Sequence, residues 1–147
     1  MTTTQDPTEL HRQRLARQDP TLTHLAHLSN VAEGFQVPII LSVGGVQVSG
    51  VMVGAKQYFS ELIEHIRETG NGDGVDGFAK IFEAVTEDMT STDSGSDDET
   101  PLTPADFPGH LHLTDASVYG GPTVLNLGFW RGRITAVDGW TIGQLHD

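Results

Sequence analysis

From residue 37 to residue 53 the chain reads VPIILSVGGVQVSGVMV, with apolar side chains recurring at every second position. Val37, Ile39, Leu41 and Val43 fall on one face of an extended chain, and Val46, Val48 and Met52 return on that face. Such alternation marks strands with one side on a core. Gly44-Gly45 between the runs tolerates the positive φ of a type I′ or II′ turn, so the segment predicts a two-residue hairpin. The opposite face carries Ile40, Val51 and Val53 beside Ser42, Gln47 and Ser49, which predicts partial cover. Gly50 inside the second run predicts a bend or bulge, and Pro38 suits a strand start or an edge.

On either side the period becomes helical. Leu22, Leu25, Ala26, Leu28, Val31 and Ala32 follow Asp19-Pro20, a pair suited to an N-cap and a first helical position. Gly34 suits the residue beyond the end, so residues 20–33 are a predicted amphipathic helix. Ala55, Tyr58, Phe59, Leu62, Ile63 and Ile66 line one side of a second helix over 55–68. GNGDG at 70–74 breaks it, and Val75, Phe78, Ile81, Phe82 and Val85 mark a third over 75–88. Upstream, Thr8 to Gln18 has only Leu10, Leu15 and Ala16 to bury, which leaves a free arm and a docked basic helix both open.

The last third is strand-like again. HLHLTDASVY at 110–119 sets Leu111 and Leu113 against His110 and His112, and the alternation slips near Asp115, where a bulge is expected. GGPTVLN reads as a loop. In FWRGRITAVDGWTIGQL, residues 129–145, a regular strand puts Phe129, Arg131 and Arg133 on one face and Trp130 and Ile134 on the other. Val137-Asp138-Gly139-Trp140 carries a short-range hairpin signal, predicting strands at about 127–137 and 140–145. Five strands, three helices and no βαβ alternation imply an α+β fold. We expect a small, strongly bent antiparallel sheet or barrel of SH3/Sm-like type, with helices packed outside. The expected division is a flexible basic arm over 1–19 and one domain over 20–147, into which residues 55–106 insert a helical pair and an acidic linker.

Charge sharpens this outline. Of the net −12, residues 55–106 carry three basic and thirteen acidic side chains, net −10, whereas 1–33 and 107–147 carry −1 each and 34–54 none. Acids gathered in one segment count against salt adaptation, which spreads them over the surface. They also count against nucleic acid, whose binding draws most of its affinity from neutralised phosphates. Thr86 to Asp106 holds seven acids and no basic residue among Ser, Thr, Pro and Gly, the composition of a disordered linker, with Asp93, Asp97, Asp98 and Glu99 at its centre. The apolar fraction of 37% is low for a folded domain, consistent with part of the chain adding little to a core. The polar opening residues and the short apolar runs, the longest being Val37 to Leu41, predict a soluble cytoplasmic protein.

Candidate chemistry is sparse. The chain has no cysteine, which removes disulfides, thiolate metal sites and cysteine nucleophiles. Seven histidines include the pairs His24/His27 and His110/His112, but no third ligand is set by spacing, and catalytic zinc needs three with support behind them. Surface or strand-face roles are the better reading of those histidines. GNGDGVDG lacks the spaced acids of a calcium loop, and the serines and glycines form no nucleophile elbow or phosphate-binding loop. Asp115 and Asp138 are accounted for by a bulge and a turn. We therefore expect no catalytic residue, metal or cofactor.

Two blocks, LSVGGVQVSGVMVGAKQYFSELIE (41–64) and FWRGRITAVDGWTIGQL (129–145), resemble the signatures of the GvpU family of gas vesicle accessory proteins. Ser49-Gly50, Ala55-Lys56 with Tyr58-Phe59, Phe129 to Gly132 and Val137 to Gly139 carry the likeness most specifically, over about residues 22–145. The resemblance implies a non-enzymatic cytoplasmic protein associated with gas vesicles, which binds vesicle shells or itself and assists their assembly or clustering. Its partners would be the shell protein, other accessory proteins or further copies of the chain, and neither nucleic acid nor a lipid membrane. Phe129, Trp130, Arg131, Arg133, Trp140, Lys56, Tyr58 and Phe59 are the candidate interaction surface. A strand pair, LHLTDASVY and an Arg-Gly element are also similar to Sm-like RNA-binding barrels. However, a helix start at Ala55-Lys56-Gln57-Tyr58 stands where that family's base-contacting loop is expected.

Overall fold

The alternating segment folds into a hairpin of β1 (Val37–Val43) and β2 (Val46–Val53), paired from Val37↔Met52 to Val43↔Val46. Gly44 and Gly45 turn it with φ of 56° and 87°, the two positive values that a type I′ turn demands. The structure, a computed structural model, describes residues 6–70, 73–91 and 108–144. Three further strands are β3 (His110–Gly120), β4 (Thr123–Arg133) and β5 (Gly139–Ile142). They complete a five-stranded antiparallel sheet in the order β4-β3-β2-β1-β5. The fold is α+β, with β4 and β5 at opposite edges of an open sheet.

That order corrects the expected closing hairpin. Val137 to Trp140 does not join two paired strands: β4 ends at Arg133, Ile134–Ala136 form a 3-10 turn, and β5 pairs with β1. The cause is burial. Ile134 sits 1% exposed in the core and pulls the chain out of line with β4. Asp138 then bonds elsewhere: its backbone N–H donates to the Ser42 carbonyl at 2.8 Å, and its Oδ2 accepts from the Gly44 N–H at 3.1 Å. Asp-Gly therefore clasps the β1–β2 turn. The second correction is at GGPTVLN, which is no loop. Gly121, with φ of 75°, and Pro122 make a two-residue turn between Gly120 and its partner Thr123, and the rest is β4. Glycine supplies the positive φ and proline the negative φ that follows it in a type II′ turn.

The bulge near Asp115 is present. Asp115 has φ of 53°, and the β2–β3 register shifts between Ser49 and Val51 opposite it. Gly50 faces this kink, where a Cβ would stand 3.0 Å from the Thr114 carbonyl and 3.1 Å from the Leu113 Cβ. A second shift in the β3–β4 register falls beside Gly128, whose φ is 79°. These extra residues keep Leu111, Leu113, Ala116 and Val118 on one face despite the break in strict alternation.

Helices cover both faces. On one, Ile39, Leu41, Val48, Met52, Leu111 and Leu113 are sealed by Leu22 and Ala26 of α2 (Pro20–Val31). Asp19 caps α2 as its sequence predicts, its Oδ1 accepting from the N–H groups of Thr21 and Leu22. On the other, Val53 packs with Ala55, Tyr58 and Phe59 of α3 (Ala55–Thr69), and Phe82 of α4 (Asp73–Ser91) packs against them. The N-cap of α3 is Gly54, which has no side chain to offer, and a Cβ there would collide with the Ser29 carbonyl at the end of α2. Asn30 supplies the missing acceptor: its Oδ1 takes the Ala55 N–H at 2.9 Å. One further helix, α1 (Pro7–Arg17), precedes α2. Asp93, Asp97, Asp98, Glu99 and the remainder of the predicted linker beyond Ser91 lie outside the described residues.

Candidate interaction surfaces

β4 distributes the arginine-aromatic run as alternation predicts. Trp130, opposite Leu113, packs against the α2-side core, while Phe129 and Arg131 face α3. Gly132 is required beneath Trp130, because a Cβ at that position would run into the indole ring. Phe129 meets the rings of Tyr58 at 5.8 Å and His65 at 5.3 Å. Tyr58 and Phe59, 5% and 4% exposed, turn inward and anchor α3 to the sheet, whereas Lys56 on the same helix is exposed.

His112 lies under this aromatic cluster. It is 5% exposed, with its ring 5.0 Å from that of Tyr58 and 5.6 Å from that of Phe59. Arg131, its partner across the strands, donates Nε–H to His112 Nε2 at 3.1 Å. Only a neutral imidazole can accept that bond. Burial, then the charges of Arg131 and His110, push the His112 pKa down to about 3. Burial also raises the Tyr58 hydroxyl, with Arg131 opposing. Arg131 is therefore engaged at its Nε, and the two arginines of β4 have different surroundings.

Arg133 belongs to a cleft of about 350 Å³ between α1 and the sheet, which Arg14, Arg17, Gln18, Gly109 and His110 also line. Arg14 lies across Gly109, where a Cβ would stand 3.3 Å from its Nη1. Burial and the charges of Arg131, Arg133 and Arg14 lower the His110 pKa, so this imidazole is neutral at pH 7. Trp140 lies on the far edge strand, where its Nε1–H donates to Asp19 Oδ2 at 3.0 Å, tying β5 to the cap of α2. That bond is the largest cause of the lowered Asp19 pKa, followed by the Leu22 N–H. The candidate residues thus divide among a core cluster, a cleft and a tether.

The edge itself carries a surface that sequence reading missed. Val124, Leu125 and Leu127 of β4 are 44%, 57% and 47% exposed, and residues 123–130 contain no charged side chain. Reading GGPTVLN as a loop hid this, since loop residues present no strand edge. Among the described residues no group of three or more His, Cys, Asp or Glu converges as a metal site would. No helix described is long and apolar enough to cross a membrane.

No curated protein and no solved structure matches the chain. A family model described as gas vesicle protein GvpU-like matches residues 19–145, which takes in α2, both helices of the insertion and all five strands. It therefore spans Asp19 and its bond to Trp140, the Asn30 cap and the Asp138 clasp. With that match covering most of its 147 residues, the chain belongs to the GvpU-like family of gas vesicle accessory proteins.

Proposed function

We propose that this protein is a non-enzymatic adaptor that binds gas vesicle shells or further copies of itself in the cytoplasm, and so assists vesicle assembly or clustering. The observation that carries this reading is the exposed edge of β4. Edge strands offer unpaired N–H and C=O groups, and folded proteins ordinarily blunt them with charge, proline or cover. Here Val124, Leu125 and Leu127 stand open along an uncharged run, in a chain whose net −12 otherwise keeps copies and acidic neighbours apart. A surface of this kind suits strand addition, in which main-chain bonds give affinity and alternate side chains give selectivity.

The test uses purified gas vesicles. The full chain co-sediments with them or increases their clustering, and V124K/L125K, which places two charges on an exposed edge, loses at least about tenfold of that binding. The melting temperature of the variant stays within a few degrees, because neither residue belongs to the core. Absence of both co-sedimentation and clustering by the unmodified chain refutes the reading. Unaltered binding by V124K/L125K removes β4 as its seat.

A further inference from the structure

We infer that the cleft between α1 and the sheet is a binding site for an acidic peptide segment, namely the Asp93–Glu99 stretch of a second copy of this chain. The inference rests on the self-association proposed above and supplies it with a second surface, remote in chemistry from the apolar edge.

Three observations converge. Arg14, Arg17 and Arg133 come from two separate elements to line one cleft, in a chain with only eight basic residues against twenty acidic ones. The fork geometry of arginine suits carboxylates, and Arg17 and Arg133 are both exposed. Burial and the neighbouring arginines lower the His110 pKa, so its imidazole adds no charge of its own at pH 7. Gln18, 4% exposed, supplies the second observation. Its Nε2 donates to Thr23 Oγ1 at 3.0 Å and to the Pro108 carbonyl at 3.3 Å, while Thr23 Oγ1 itself donates to the Asp19 carbonyl at 2.8 Å. Those acceptors determine which way the amide points and leave Gln18 Oε1 buried at the cleft wall with no partner. An unanswered buried acceptor calls for an N–H donor. A peptide carries carboxylates and N–H groups together, whereas inorganic phosphate or a bare carboxylate lacks the donors of its backbone.

The third observation is the ligand that the chain carries. Asp93, Asp97, Asp98 and Glu99 place four acids within seven residues and no basic one, complementary to the three arginines. The stretch is assigned to the cleft of a neighbour because the function proposed above joins copies, and the association measurement below separates a neighbour's cleft from the chain's own. One cleft and one acidic stretch per chain make the contact head-to-tail, so it can propagate from copy to copy.

The test uses the full chain carrying D93N/D97N/D98N/E99Q, so that its own stretch does not compete, and a labelled peptide of residues 90–104. The peptide binds at low salt and weakens as salt rises, and inorganic phosphate at equal concentration competes poorly. R17E/R133E lowers affinity at least about tenfold, and a peptide with lysines at the four acidic positions restores binding to R17E/R133E. Arg17 and Arg133 are both exposed, so these reversals leave the fold intact, as circular dichroism verifies. Binding unaffected by R17E/R133E, or equal binding of a neutralised peptide, overturns the inference. So does peptide binding without concentration-dependent association of the unmodified chain in sedimentation velocity, since the segment then stays with its own cleft. Co-sedimentation with vesicles is scored separately and survives R17E/R133E if β4 alone carries the function.

Discussion

The run Phe129 to Trp140 shows how much a single side chain decides. Trp130 needs Gly132 beneath it, Arg131 answers His112, Arg133 opens onto the α1 cleft and Trp140 reaches Asp19. His112 makes the sharpest prediction at this scale. Its folded pKa is lowered from 6.5 to about 3, so between those values the unfolded chain binds the extra proton. Its contribution is whole above pH 6.5 and declines as pH falls toward 3, at a slope of at most about 1.4 kcal/mol per pH unit. The lowered Asp19 pKa adds a loss only below its ordinary value of 3.8. Urea midpoints measured from pH 7 to pH 4 should fall for the unmodified chain and remain flatter for His112→Phe, which keeps a ring and drops the proton. Equal slopes would show that His112 does not titrate on unfolding. The pairing of His112 with Arg131 follows from strand register; that of Trp140 with Asp19 spans 121 residues and no local pattern announces it.

Elements were legible wherever a period persisted. The β1–β2 hairpin, α2 and α3 stand where their apolar spacing put them, because each buries one face and alternation or helical period is what one-sided burial leaves in a sequence. β4 was misplaced because bulges at Asp115 and beside Gly128 interrupt its pairing with β3, and Val124 and Leu125 alternate with nothing buried. The start of α3 was legible, but its cap was not: Asn30 stands 25 residues before the N–H that it accepts. Asn30→Ala should cost about 1 kcal/mol, since the first turn of α3 loses the side-chain acceptor that Gly54 cannot supply. Asn30→Asp should retain most of that stability, because it keeps the acceptor and adds charge favourable to a helix N-terminus. Chemical denaturation of both variants checks this, and equal losses would mean that Asn30 acts by packing alone.

Over the whole molecule, the chain crosses from one edge of the sheet to the other between β4 and β5, and small polar bonds secure the crossing. Asp138 holds Ser42 and Gly44 at the β1–β2 turn, Trp140 holds Asp19, and Gly143 donates to the Pro38 carbonyl at 2.9 Å. Asp138→Ala should remove about 1 kcal/mol by loss of one side-chain bond, and hydrogen exchange should quicken at Gly44 and along β5 while the β3–β4 pairing keeps its protection. Uniform acceleration across the sheet would instead indicate global weakening. The two edges have unlike characters as a result: β5 is short and tethered, and β4 is long, open and without charge from residue 123 to residue 130.

The sequence alone determined the α+β class, the helical pair between the second and third strands, the concentration of acid in one segment and the kinship of the signature blocks. Each is a local or compositional property, written in the spacing of apolar residues, in glycines that turns require and in charge. Tertiary structure decided which strand lies at which edge, what Asp138 and Asn30 bond, and which arginines share a cleft. These depend on contacts between residues far apart in the chain, where burial of Ile134 outweighs the turn preference of Asp-Gly and sends the last strand to β1.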